Sequence, residues 1–299
     1  MEGSAPVPEV RSPTLRRREL GARLRALRLE QGLTVEQVAE LLLCSPSKVS
    51  RMETGQRGAT PRDIRDLCRI YGVTKEAEVA EMTELAKEGK QQGWWQSYEL
   101  DFFATYVGLE QAATWLCYYQ SSIVPGLLQT PEYARAMHQG SLPAEFTPER
   151  ADALIEVRLR RQQVLTRDPP LQLEAILDEA VLHRVVGNPE VMAAQLRYLV
   201  KSGNMSNVTL RVIPNSVGAH PAMDNMFNIL EFGDVAPRLV YVEGLMGWLF
   251  IEKERDVARY EQVLERLREI ALDPKETIDL ISKIGAQYNS ALGSRQIVT

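Results

Sequence analysis

Leu15, Leu20, Leu24 and Leu27 recur near helical spacing and draw one apolar stripe, with Arg16, Arg17, Arg18, Arg23 and Arg25 largely around it. The pattern predicts a helix that Gly32 stops. Thr34 then stands where an N-cap belongs, Gln37 completes a capping box three residues on, and Val35, Val38, Ala39 and Leu42 supply the next apolar face. After Leu43 and Cys44, Ser45 offers a cap, and Pro46 takes the first helical position, where a missing amide costs nothing. In this third helix Val49 and Met52 face inward and leave Ser47, Lys48, Ser50 and Arg51 on the outer side. Gly55 ends it, Gln56 and Arg57 follow in a loop, and Pro61 opens a fourth helix whose Ile64, Leu67 and Ile70 close a small core.

Residues 75–92 are dense in helix formers and poor in large apolar side chains, which predicts a connecting helix ended near Gly93. Beyond it, an aromatic-rich passage holds Trp94, Trp95, Trp115, Tyr118 and Tyr119. Such a cluster either lines a ligand or packs a domain junction, and both readings stay open. Pro125 and Gly126 form a turn, Thr130 with Pro131 starts a helix, and a further helix spans roughly 148–166 with Arg150, Arg158, Arg160 and Arg161 as a solvated face. After Pro169 and Pro170 the texture changes to strand-length runs at 171–177, 207–214, 226–232, 239–244 and 247–252. Several are apolar on both faces, so helices are expected to cover the sheet, at 179–186, 189–202 and 254–271.

Charge sharpens this division. Residues 11–75 carry 14 Lys and Arg against 7 Asp and Glu, a balance of +7, while the remainder carries 21 against 33, a balance of −12, so the net −5 conceals a basic head on an acidic body. A confined positive surface is what binding to nucleic acid requires. Cys44, Cys68 and Cys117 are far apart and form no metal-ligand spacing, which fits a reducing compartment. The N-terminal residues lack a signal-peptide core and no apolar run reaches membrane-span length, so a cytoplasmic location is expected and a membrane is not among the partners.

Residues 32–73, GLTVEQVAELLLCSPSKVSRMETGQRGATPRDIRDLCRIYGV, resemble the helix-turn-helix of the xenobiotic-response-element and phage-repressor family, through Gln37, Ala39, Ser45, Val49, the Ser50-Arg51 pair, Glu53 and Gly55. The resemblance implies a positioning helix over 34–42 and a recognition helix over 45–54 that enters the major groove, where Arg pairs with guanine O6 and N7. The DNA-contacting set it implies is Thr34, Gln37, Ser45, Pro46, Ser47, Lys48, Ser50, Arg51, Gln56 and Arg57. It also implies a structural ion pair between Arg28 and Glu53. Pro46 departs from the family, standing where a polar side chain often touches DNA.

The succession VPGLLQTPEYARAM, LDEAVLHRVVGNPEVMAAQLRYL, NVTLRVIPNSVGAHPAMDNMFNILEF and LVYVEG resembles the sensor-like domain of WhiJ-like, antitoxin-like regulators of actinobacteria. Together the two resemblances imply a transcriptional regulator acting on a double-stranded operator, with a small protein partner encoded nearby, and because one recognition helix reads only a few base pairs a homodimer is expected. The expected fold class is an all-α helix-turn-helix N-terminal domain plus a larger α+β C-terminal domain. The expected divisions are a disordered tail over 1–13, the DNA-binding domain over 14–75, a connecting helix over 76–93, the α+β domain over 94–275 and a C-terminal helix and tail over 276–299. A partner or ligand is expected to engage Trp94, Trp95, Trp115, Tyr118, Tyr119, Pro125 and Gly126. Candidate chemistry is confined to Asp178, Glu179, His183, His220, Asp224 and Glu243, whose spacing matches no HExxH, EF-hand, Walker or GxGxxG pattern. The chain is therefore read as a non-enzyme with no cofactor, against the alternative of a DNA-tethered enzyme with a catalytic or metal site in the body.

Overall fold

The computed structural model describes residues 12–98, 100, 103–140, 147–244 and 247–296. The chain divides into two units, the first reaching Ala112 and including Phe232–Pro237, the second formed by Ala113–Glu231 and Arg238 onward.

In the first unit, α1 (Pro13–Glu30), α2 (Val35–Leu41), α3 (Pro46–Glu53) and α4 (Pro61–Ile70) follow the apolar pattern. Leu20, Leu24, Val38, Val49, Met52, Ile64 and Leu67 form one buried core. α2 and α3 start at the caps expected for them, and α4 starts at Pro61. Thr34 and Gln37 make a reciprocal capping box, Ser45 accepts from Lys48 N, and Thr60 accepts from Asp63 N. Two expectations need correction. The helix read as a connector, α5 (Glu76–Glu88), buries Met82, Leu85 and Ala86 in that same core, and Arg16–Glu88 and Arg23–Glu81 ion pairs, both at 2.9 Å, tie it to α1. The tail expected over 1–13 lies outside the described residues up to Arg11, but Ser12 and Pro13 are buried, and Ser12 Oγ donates to the Gly108 carbonyl at 2.6 Å on α6 (Phe103–Ala112).

The second unit is built on a six-stranded mixed sheet. Its elements run β1 (Trp115–Gln120), α7 (Pro131–Gln139), α8 (Pro148–Arg161), β2 (Gln172–Asp178), a single turn α9 (Ala180–His183), α10 (Pro189–Gly203), β3 (Val208–Ile213), β4 (Phe227–Glu231), β5 (Leu239–Gly244), β6 (Gly247–Ile251), α11 (Glu254–Ile270) and α12 (Pro274–Gln296). The strand order is β3-β2-β1-β4-β5-β6, with β1, β2 and β3 parallel and the others antiparallel. Alternation along β1 turns Cys117 and Tyr119 toward α11, where they meet Phe227, Ile229, Val240, Val257, Leu264 and Leu267 in one core. Residues 272–277 cover the outer edge of β3, since Leu272 N donates to the Val212 carbonyl at 2.8 Å and Val212 N donates to Thr277 Oγ1 at 3.1 Å.

The expected helix over 179–186 shrinks to one turn. The solvated basic face of α8 is also only half present, because Arg161 is 4% exposed and Arg158 donates to Gln129 Oε1.

Candidate nucleic-acid interface

α3, the expected recognition helix, is held from behind. Gly21 on α1 has no room for a side chain, because a Cβ there would lie 2.5 Å from the Glu53 carbonyl oxygen and 2.6 Å from that of Met52. The last turn of α3 therefore rests directly on the α1 backbone. One residue on from Met52, Glu53 accepts from Arg28 Nε at 2.6 Å and from Arg28 Nη2 at 2.9 Å, a two-pronged pair whose side chains are 6% and 10% exposed. Arg28 Nη1 also donates to the Leu33 carbonyl at 2.8 Å, so one guanidinium joins the end of α1, the loop before α2 and the end of α3. The Glu53 hydrogen bond, opposed by burial, raises the Arg28 pKa. Arg28 and Glu53 are thus paired as the sequence resemblance implied.

The opposite face of α3 is open. Ser45, Pro46, Ser47, Ser50 and Arg51 are exposed, as are Gln56 and Arg57 in the loop beyond. Arg51 Nε donates to the Ser47 carbonyl at 3.2 Å, which lays the side chain back along the helix with Nη1 and Nη2 not engaged by that bond. Thr34 and Gln37 are exposed at the start of α2; Gln37 Oε1 accepts from Thr34 N at 2.8 Å, which leaves its amide nitrogen outside the box. Lys48 differs from the rest. Its Nζ lies 2.6 Å from Asp63 Oδ1 at the start of α4. Burial pushes the Asp63 carboxyl up, but the Lys48 hydrogen bond and the bonds from Thr60 outweigh it and hold the carboxyl below its usual range. Sequence reading did not single out Gly21, Asp63 or Leu43. Leu43, in the turn before α3, has φ 53° and is 93% exposed.

The aromatic residues named for a partner fall in both units. Trp95 in the first, and Tyr118 and Tyr119 in the second, are at most 4% exposed and serve as core; Trp94 stacks edge-on against Trp95 at 5.8 Å. Pro125 lies in a buried passage: Val124, Leu127 and Leu128 are fully buried, and glutamines at 129, 162 and 195 hydrogen-bond its backbone. Gly126 faces the Arg161 guanidinium. Trp115 borders a cavity of about 380 Å³, with the Arg238 and Arg268 guanidiniums 5.7 and 5.9 Å from its ring. Both arginines are spent on carboxylates, Arg238 on Glu231 and Glu261, Arg268 on Glu174 and Glu265.

Two families of known proteins match. Residues 103–283 match a domain of unknown function (DUF5753), which spans more than half of the chain. The chain belongs to this family. Residues 19–82 match a helix-turn-helix domain, which supports DNA-binding transcription regulation for the first unit. A solved structure of the clp gene regulator ClgR from C. glutamicum is similar over 26% of this chain and 96% of its own, with 27% identity and a TM-score of 0.21. Comparison with curated proteins finds no match.

Within the DUF5753 portion the candidate chemical residues separate into pairs. His220 Nε2 lies 3.3 Å from Asp178 Oδ1, and Tyr119 Oη donates to Asp178 Oδ2 at 2.9 Å. Burial, then the Asp178 charge, raises the Tyr119 pKa. His183 instead pairs with Glu179 at 3.2 Å, and Glu243 accepts from Tyr241 Oη at 3.3 Å. Asp224 lines a neighbouring cavity of about 220 Å³ together with Asn225, Phe227, Arg259 and Tyr260. Among the described residues no group of three or more His, Cys, Asp or Glu side chains is placed to hold a metal ion, and no helix is long and apolar enough to cross a membrane.

Proposed function

We propose that this DUF5753 protein is a sequence-specific transcriptional regulator that lays α3 in the major groove of a double-stranded operator. The observation that carries the reading is the mounting of α3: its inner side is fixed by Gly21 and by the Arg28–Glu53 pair, while Ser45, Pro46, Ser47, Ser50 and Arg51 stand exposed on the other. Short side chains let the helix approach the groove, and Arg51 has the reach and the paired donors for guanine. Thr34, Gln37, Gln56 and Arg57 then meet the sugar-phosphate backbone on either side, which sets register without reading sequence.

The DUF5753 portion binds a protein partner or a small ligand and passes that signal to operator affinity. Its sequence resemblance to WhiJ-like, antitoxin-like regulators supports a small partner encoded nearby and a cytoplasmic location, and the few base pairs that one recognition helix reads support a homodimer. The Asp178–His220 pair is the observation nearest to an enzymatic reading. Its polar atoms are turned on one another, with Asp178 shared between His220 and Tyr119 and both aromatic side chains buried. That arrangement supports a structural role.

Arg51→Ala tests the reading. On the selected operator the variant loses roughly 1–3 kcal/mol of binding free energy, and much less on random duplex. Equal losses on both would reduce Arg51 to a phosphate contact.

A further inference from the structure

The recognition helix carries two cations, and the fold treats them differently. Arg51 is exposed, and among the described residues its side chain hydrogen-bonds only its own helix backbone. Lys48 reaches across 15 positions of sequence to Asp63, and the two side chains are 23% and 13% exposed. Asp63 is itself held by hydrogen bonds. Its Oδ2 accepts from Thr60 N at 2.9 Å and from Thr60 Oγ1 at 2.7 Å, so the capping box that starts α4 also aims the carboxylate at Lys48.

To give a phosphate its full charge Lys48 must turn from this carboxylate, since a phosphate on its two remaining N–H groups would stand beside the Asp63 anion. One anion would replace another, and Asp63 would be left partly buried with its strongest partner gone. An ordinary surface pair loses most of its worth to side-chain entropy and solvent screening. Here one partner is already fixed and both are largely shielded, so the exchange favours the existing pair. We propose that Asp63 is a positioning residue that keeps Lys48 as a strut between α3 and α4 and withholds its charge from DNA, so that the cationic contacts of this surface fall to Arg51 and Arg57. The proposal rests on the DNA-binding reading above.

The salt dependence of binding tests it, because each phosphate neutralised contributes roughly 0.9 to the slope of log affinity against log salt. The probe is a random-sequence duplex and the protein is the full chain. Lys48→Met is expected to keep the wild-type slope. Asp63→Asn, whose amide oxygen still accepts from Thr60, is expected to tighten binding and steepen the slope by about 0.9 as Lys48 is released to a phosphate. The double variant Asp63→Asn with Lys48→Met is expected to return to the wild-type slope. A slope already shallower by about 0.9 in Lys48→Met overturns the proposal, since Lys48 would then contact phosphate in the native complex. A double variant as steep as Asp63→Asn also overturns it, since the effect would then come from the lost carboxylate charge alone. If Asp63→Asn does not fold, the Lys48→Met slope decides by itself. Absence of duplex binding by the wild-type chain at low salt is a separate outcome, and it refutes the DNA-binding reading from which the proposal starts.

Discussion

At the scale of single residues, Leu43 and Glu53 show opposite uses of free energy. A leucine at φ 53° costs about 1–2 kcal/mol through the clash of Cβ with the following carbonyl, and at 93% exposure its side chain recovers nothing by burial. Glycine removes the clash but adds unfolded-chain entropy of about 0.5–1 kcal/mol. Leu43→Gly is therefore expected to stabilise the chain by about 0.5–1 kcal/mol in urea unfolding, and a loss of stability would show that Leu43 packs on something. Glu53 is the reverse case. Glu53→Ala leaves the Arg28 charge shielded and without its carboxylate, and destabilisation of the first unit by roughly 3–5 kcal/mol is expected in thermal melts. Replacing both partners by apolar side chains should recover much of that loss. An unchanged midpoint for Glu53→Ala would mean that the pair contributes nothing.

At the scale of elements, the helix starts were readable because a cap is a local event: Thr34, Ser45 and Thr130 each lie within three residues of the amide they satisfy. What could not be read depends on distant partners. The α5 stripe of Met82, Leu85 and Ala86 looks too thin for a core helix until α1 and α4 are placed against it. β1 was hidden in the aromatic passage, since no Gly or Pro separates Trp115 from the helix ending at Ala112. The capture of Lys48 by Asp63 and the contact at Gly21 are likewise long-range, so the outer face of α3 was legible and its mounting only in part. One helix also carries a pH prediction. Burial, with the Arg158 charge adding to it, lowers the His138 pKa on α7 to about 4, against about 6.5 in an unfolded chain. The folded state thus stays neutral at His138 while the unfolded state gains a proton, so this contribution is full above about pH 6.5 and is lost as pH falls toward 4. His138→Gln is expected to flatten the fall in thermal midpoint between pH 7 and 5 relative to wild type. Parallel curves for the two proteins would count against the burial argument.

At the scale of the whole molecule, the sequence places +7 on residues 11–75 and −12 on the rest, so a regulator of this kind must direct its binding through one small basic unit. A single recognition helix reads only a few base pairs, and specificity is then expected to come from two copies bound across a symmetric site. Selection of binding sites from a random duplex pool by the full-length protein tests this most directly, with the Arg51→Ala chain selected in parallel. The expected result is a palindromic motif with half-site centres about 34 Å apart, or a multiple of that, with its preference relaxed at the Arg51 position in the variant. A pool that shows no enriched sequence, or the same motif for both chains, would contradict reading of DNA through α3.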